Sequence, residues 1–205
     1  MGPIERFCLV SLCLACLWPH TAVAQKHELG FGLGAFFSGE RKTVREPLAI
    51  GHGLGLQVNY GLRLIDGENV DVLLDMNLLA NPVRRVDSGP PEASRDFASL
   101  YLTPGFRLKF RPRRYLSPWM AFNAGYALYE HSELTRGGDP NPAPRHLSRG
   151  ALVFGAGLDA EVTRDISFRG EVRDYYSGSP VYNIPSPGGQ HNLMASGSFV
   201  FRWGD

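Results

Sequence analysis

The chain has 205 residues and carries 21 Lys and Arg against 20 Asp and Glu, a formal net charge of +1. That balance excludes the basic footprint expected of a nucleic-acid binder. All three cysteines, Cys8, Cys13 and Cys16, fall near the start, so the rest of the chain excludes disulfide, thiolate and zinc-cysteine chemistry.

The first element has the marks of an export leader: Arg6 as its basic residue, an apolar run from Phe7 to Leu17, and the small-residue site Ala22-Val23-Ala24. An apolar run of about 11 residues is too short to cross a bilayer as a helix, which takes roughly 20. Residues 1–24 are therefore expected to be a signal peptide, with cleavage before Gln25. Cys16 as the acylated residue of a lipoprotein leader fits less well, because Cys13 stands where Leu is ideal and the apolar core is short. The roughly 180 residues from Gln25 onward suffice for one domain, residues 25–205.

Period-two alternation then recurs along the chain. The first strand, Glu28 to Phe37, sets Leu29, Phe31, Leu33, Ala35 and Phe37 against glycines at 30, 32 and 34. The second, Ile50 to Arg63, sets Leu54, Leu56, Val58, Tyr60 and Leu62 against Gln57, Asn59 and Arg63. After an Asp66-Gly67 turn the third, Val70 to Leu79, places Asp71 and Asp75 on its polar face. The fourth, Phe97 to Phe110, carries Arg107 and Lys109 there, and Pro104 on its apolar face predicts a bulge or bend. The fifth, Pro118 to Tyr129, has the weakest polar face. The sixth, Ala151 to Val162, offers Asp159 and Glu161. The seventh, Ile166 to Tyr176, answers with Arg169, Glu171 and Arg173 across a Thr163-Arg164-Asp165 turn, and the eighth runs from Asn192 to Trp203.

Long Pro/Gly-rich connections at 38–49, 81–96, 130–150 and 177–191 alternate with three short ones. Strands of roughly ten to thirteen residues suit a tilted membrane crossing. Every backbone group in hydrocarbon must be paired, so only a closed sheet can span. The expected fold is all-β, an eight-stranded antiparallel up-and-down transmembrane β-barrel with short turns and both termini on the periplasmic side. A soluble lipocalin-like barrel would share the periodicity with its apolar face inward. Aromatics at the crossing ends favour the membrane: Phe37, Phe97, Tyr126, Tyr129 and Tyr176 at the outer end, and Phe110, Tyr115, Trp119, Phe201 and Trp203 at the inner.

An eight-stranded barrel is only wide enough inside to be filled by side chains. Arg63, Arg107, Lys109, Arg169 and Arg173 are expected to share that space with Asp71, Asp75, Asp159, Glu161 and Glu171 as hydrogen-bonded pairs. Adjacency pairs Asp159 and Glu161 with Arg169 and Arg173, and Arg63 with Asp71. Such a network makes a plug; a narrow gated pore is the alternative.

The run Phe168-Arg169-Gly170-Glu171-Val172-Arg173-Asp174-Tyr175-Tyr176, the closing Phe199-Val200-Phe201-Arg202-Trp203 and the architecture together resemble the OmpA and OmpX-like eight-stranded outer-membrane barrels. The resemblance implies roles in envelope integrity, adhesion or surface defence. It also implies a last strand read by the barrel-assembly machinery, although Gly204 and Asp205 follow the terminal aromatic here. No cell-wall tethering is implied, since no peptidoglycan-binding segment is expected.

Some barrels of this size are lipid A modifying enzymes with a His-x-Ser pair at the outer end of a strand. At the comparable place Ser177 matches but Tyr175 stands where the His belongs. His146-Leu147-Ser148 fits the short pattern yet is expected in a loop, and Glu130, His131 and Ser132 alternate faces. His27, His52, His131, His146 and His191 lack metal-ligand spacing. Arg111, Arg113 and Arg114 suit lipid phosphates or plain solvation, and the Gly-x-Gly repeats inside strands are not a phosphate fingerprint. No catalytic, cofactor or metal residues are therefore expected. The expected protein is a monomeric, non-enzymatic outer-membrane barrel that contacts lipids, the assembly machinery and a surface partner through its long loops.

Overall fold

A computed structural model describes residues 27–39, 48–184 and 188–204. The expected leader and most of the first long loop lie outside the described residues. The elements are β1 (His27–Ser38), the two-residue β2 (Ala49–Ile50), β3 (Gly53–Ile65), β4 (Val70–Ser88), β5 (Asp96–Phe110), β6 (Leu116–His131), β7 (His146–Glu161), β8 (Ile166–Gly178) and β9 (Gly189–Trp203). All pairings are antiparallel, and the sheet closes on itself. β1 pairs with β9 from His27↔Trp203 to Ser38↔Asn192, and β4 with β5 from Val70↔Phe110 to Arg85↔Asp96. Apart from the short β2, which pairs only with β4, every described strand is paired on both sides, so the barrel wall has no open edge. This is the eight-stranded up-and-down barrel that the alternation predicts.

The two faces follow the parity of the sequence. Outward run Phe31, Leu33, Leu54, Leu56, Met76, Leu78, Leu102, Phe106, Met120, Phe122, Phe154, Val172, Leu193 and Phe199, all exposed. A soluble protein would not display so much contiguous apolar surface. Tyr126 and Tyr176 stand at one end of this band, and Tyr115, Phe201 and Trp203 at the other.

Three expected girdle residues belong elsewhere. Phe97, Tyr129 and Trp119 share parity with the lumen-facing set and are buried inside. Their position near strand ends suggested a girdle, but side-chain direction is set by the odd or even count, not by height.

The strands also run past their expected ends. β4 extends nine residues beyond the expected end at Leu79, through a register shift between Asn81 and Arg84. β7 starts at His146 rather than Ala151, because Glu130, Tyr129, Leu128, Ala127 and Tyr126 of β6 pair with His146 to Gly150. Pairing continues wherever two neighbouring chains run on side by side. At Pro104 there is no bulge. The β5 to β4 register is unbroken from Phe110↔Val70 through Pro104↔Met76 to Ser99↔Asn81, while the ladder to β6 skips from Leu102↔Tyr126 to Gly105↔Asn123, as a missing N–H requires. Gly105 and Gly125 let the strands close there, since a Cβ at either would strike a carbonyl oxygen of the facing strand.

Candidate functional site in the barrel interior and its outer cap

The lumen is filled in three levels. At the inner level Glu28, near the start of β1, collects four cations. Arg107 Nη2 lies 3.0 Å and Arg169 Nη2 3.1 Å from its Oε2, while Lys109 Nζ lies 3.4 Å and Arg202 Nε 3.2 Å from its Oε1. Asp159 is the second hub. Arg169 grips it with Nε to Oδ1 at 2.6 Å and Nη2 to Oδ2 at 2.9 Å. Lys109 Nζ reaches its Oδ2 at 2.9 Å, and Trp119 Nε1 donates to Oδ1 at 3.1 Å. Two-point gripping of a carboxylate fixes orientation as well as charge. The Trp119 ring lies under three guanidinium groups, with Arg107, Arg169 and Arg173 at 5.6, 5.2 and 5.1 Å from its centre.

At mid-height amides take over. Asp75 accepts from Asn123 Nδ2 at 3.1 Å and pairs with Arg173 at 3.3 Å and Arg107 at 3.4 Å. Glu171 accepts from Arg173 Nε at 2.9 Å, Gln57 Nε2 at 2.6 Å and Asn59 Nδ2 at 3.2 Å. Asn77 bridges upward, donating to Asn59 Oδ1 at 2.5 Å and accepting from Tyr175 OH at 2.8 Å.

The outer level is aromatic and aliphatic: Phe36, Leu79, Phe97, Tyr101, Tyr129, Val153, Tyr175 and Met194 pack together, with Tyr182 and Leu48 joining from the loops. Tyr101 and Tyr129 hydroxyls meet at 3.0 Å, and Tyr129 meets Ser177 Oγ at 2.6 Å. Arg84 is buried here with no carboxylate partner among the described residues. It donates to Asn192 Oδ1 at 2.9 Å and Ser38 Oγ at 2.6 Å, and its guanidinium sits 4.9 Å from the Phe36 ring centre and 5.6 Å from that of Phe97.

Above this, three connections are laced into one cap. Asn183 Nδ2 donates to Glu92 O at 3.0 Å and to Asn141 Oδ1 at 2.7 Å. Ser94 Oγ donates to Val181 O at 3.0 Å, and Tyr182 OH reaches down to Gln190 Oε1 at 2.6 Å. His131 Nδ1 donates to Pro144 O at 2.8 Å, and its Nε2 accepts from Val181 N–H at 3.0 Å.

Of the ten expected interior residues, Asp71, Asp75, Arg107, Lys109, Asp159, Arg169, Glu171 and Arg173 are buried in the lumen. Arg63 reaches Asp71 Oδ2 at 3.0 Å at the inner mouth. Glu161 is placed differently: it is not among the partners of Arg169 or Arg173 and lines an inner-mouth hollow of about 640 Å³ with Arg63, Arg164 and Arg202. Arg173 pairs instead with Glu171 and Asp75, because Asp159 is committed to Arg169 directly across the ladder. Sequence reasoning missed Glu28, Arg84, Arg202 and Trp119. Glu28 and Arg202 have lumen parity, so the same count would have found them; Arg84 lies past the bulge, where parity resets.

His146-Leu147-Ser148 is not in a loop. It forms the start of β7, where His146 and Ser148 are exposed on the outer face beside Glu130. Glu130 Oε1, however, accepts from Arg145 Nε at 3.1 Å and Nη2 at 3.0 Å, so the carboxylate orients Arg145 rather than the imidazole. Tyr175 is a buried lumen residue. No group of three metal-ligating side chains occurs among the described residues.

The chain is similar in structure to neisserial surface protein A, at TM-score 0.54 and 11% identity, covering 87% of this chain and 97% of that one. Similar too are Ail, the attachment invasion locus protein of Yersinia pestis, at 0.51 and 11% over 88% and 99%, and OprG from Pseudomonas aeruginosa at 0.51 and 11% over 88% and 96%. The fold is that of the eight-stranded outer-membrane β-barrels. No protein-family model and no curated sequence matches the chain. The barrel therefore shares its architecture with these proteins at identities where function does not transfer.

Proposed function

We propose that the protein is a monomeric outer-membrane barrel that conducts nothing and performs no catalysis, and that its work is contact with a surface partner through the rigid cap at its outer end. One observation carries this reading. The lumen is closed twice over by different chemistry, by the ionic network around Glu28 and Asp159 and by the aromatic layer around Tyr101, Tyr129 and Tyr175. A permeant ion would have to break both.

The exposed apolar band with aromatic ends supports residence in the outer membrane in contact with its lipids. The alternating Phe199, Phe201 and Trp203 of β9 support delivery by the barrel-assembly machinery. The engagement of Glu130 with Arg145 supports the non-enzymatic reading, since His146 then lacks the carboxylate a general base needs. The lacing of the loops through Asn183, Ser94 and His131 supports a preformed contact surface, which spares a partner the cost of ordering it.

The test is electrical. Refolded protein in planar bilayers should stay silent under applied voltage, and discrete conductance steps would overturn the plug. Heat-modifiable migration of protein from an outer-membrane fraction should accompany it; recovery in the osmotic-shock fraction would overturn the location.

A further inference from the structure

On the outside of the barrel, at the outer end of β4 to β7, the apolar wall is dented. A crevice of about 700 Å³ is lined by Ala80, Ala98, Leu100 and Leu128 and edged by Glu130, His146 and Ser148. That volume lies within the roughly 300–1,000 Å³ usual for small-ligand sites. Its origin can be read from the register. Ala80, Leu100, Leu128 and Ser148 stand in one row across four strands, and Ala98, Glu130 and His146 in the next row outward. Neighbours in such a row sit about 5 Å apart on one face. The side chains at 80, 98 and 148, at the ends of these rows, are small and leave the hollow, and Pro82, at the register shift beyond Asn81, lines it as well.

We propose that this crevice is a binding site for one acyl chain of an outer-leaflet lipid, held at its ester end. The crevice is continuous with the lipid-facing band: the row beneath it is Leu78, Leu102 and Tyr126, so it opens at the level of the outer aromatic girdle, where ester groups lie. It is apolar along β4 and β5 and polar only at the β6 and β7 edge. Ser148 hydroxyl and His146 imidazole are exposed there, placed to donate to an ester carbonyl. The site rests on the membrane placement proposed above.

The probe is phosphatidylethanolamine bearing a diazirine on its acyl chain, in vesicles holding the refolded barrel. Crosslinks are expected to concentrate on residues 98–102, 126–130 and 146–150, at least threefold over the opposite wall at 170–176 and 189–193. Ala98→Trp, which fills the crevice, should remove that excess while gel migration stays heat-modifiable. Val172→Trp on the far wall should leave it intact. Should Ala98→Trp misfold, Ser148→Ala supplies a milder reduction in the same peptide. Uniform labelling around an inserted wild-type barrel would overturn the site alone. Failure of wild type to insert would overturn the membrane placement and the site with it.

Discussion

The inner half of the lumen is packed with charge and the outer half with rings, and the amides of Gln57, Asn59, Asn77 and Asn123 lie between them. In the inner half each group is held by several partners at once: Glu28 faces four cations, and Asp159 faces Arg169, Lys109 and Arg202. In the outer half contacts are many but individually weak, and Arg84, the one buried cation there among the described residues, leans on ring faces and neutral acceptors. The difference teaches where each half is vulnerable. An ionic network fails when one member leaves its neighbours unpaired; an aromatic layer fails by volume.

Glu28→Ala should therefore be the most damaging single change. It takes one of two carboxylates from each of Arg107, Lys109, Arg169 and Arg202, leaving Asp75 to the first and Asp159 to share among the other three, and breaking a buried pair by removing one partner costs about 3–5 kcal/mol. Denaturant unfolding in lipid vesicles measures it; a loss under about 1 kcal/mol would mean the hub is solvated rather than coupled. Phe36→Ala is the counterpart above. It empties the space against Tyr101 and Tyr175, removes the ring beneath Arg84, and should cost about 3–4 kcal/mol. Tyr175→Phe should cost less, about 1 kcal/mol, by withdrawing the hydroxyl donated to Asn77 Oδ1.

The barrel was legible because period two survives every crossing, and Asp159 with Arg169 was legible because both lie on neighbouring strands joined by a short turn. Glu28 meeting Arg107 and Lys109 was not, because those strands face each other across the lumen, and no sequence separation encodes a diameter. The aromatic layer was hidden for another reason. Tyr101, Tyr129 and Tyr175 occupy the polar-face positions of their strands, and a phenol reads as a girdle or polar residue until three of them converge. The outer extensions of β4 and β7 were hidden because Pro, Gly and Arg there signal a loop, while pairing between neighbours overrides that preference.

The smallest expected effect is confined to the cap and separates it from both halves below. His131 lies outward of Leu128 and Glu130, beyond the apolar band, and burial holds its imidazole below the usual histidine range. Nδ1 must carry the proton, because it faces the Pro144 carbonyl, so Nε2 is free to accept from Val181 N–H. The charged side chains on its own strand and the adjoining loop, Glu130, Glu133 and Arg145, are already paired with one another; across the β5 pairing Asp96 is paired with Arg95, and from the last loop comes the phenol of Tyr182. Unfolded, a histidine titrates near about 6.5. As pH falls below that value the unfolded segment takes up a proton that the clasp refuses, so the clasp is at full strength above about 6.5 and weakens in acid. Protonation also sets an Nε2–H against the Val181 N–H, a loss of about 1 kcal/mol for one hydrogen bond. Amide exchange at Val181, corrected for intrinsic rate, should therefore accelerate several-fold between pH 7.5 and 5.5, while lumen amides on β8 and β9 hold steady. His131→Phe should exchange fast at both values. A Val181 amide equally protected at both in the wild type would show that the cap is held by Asn183 and Ser94 alone.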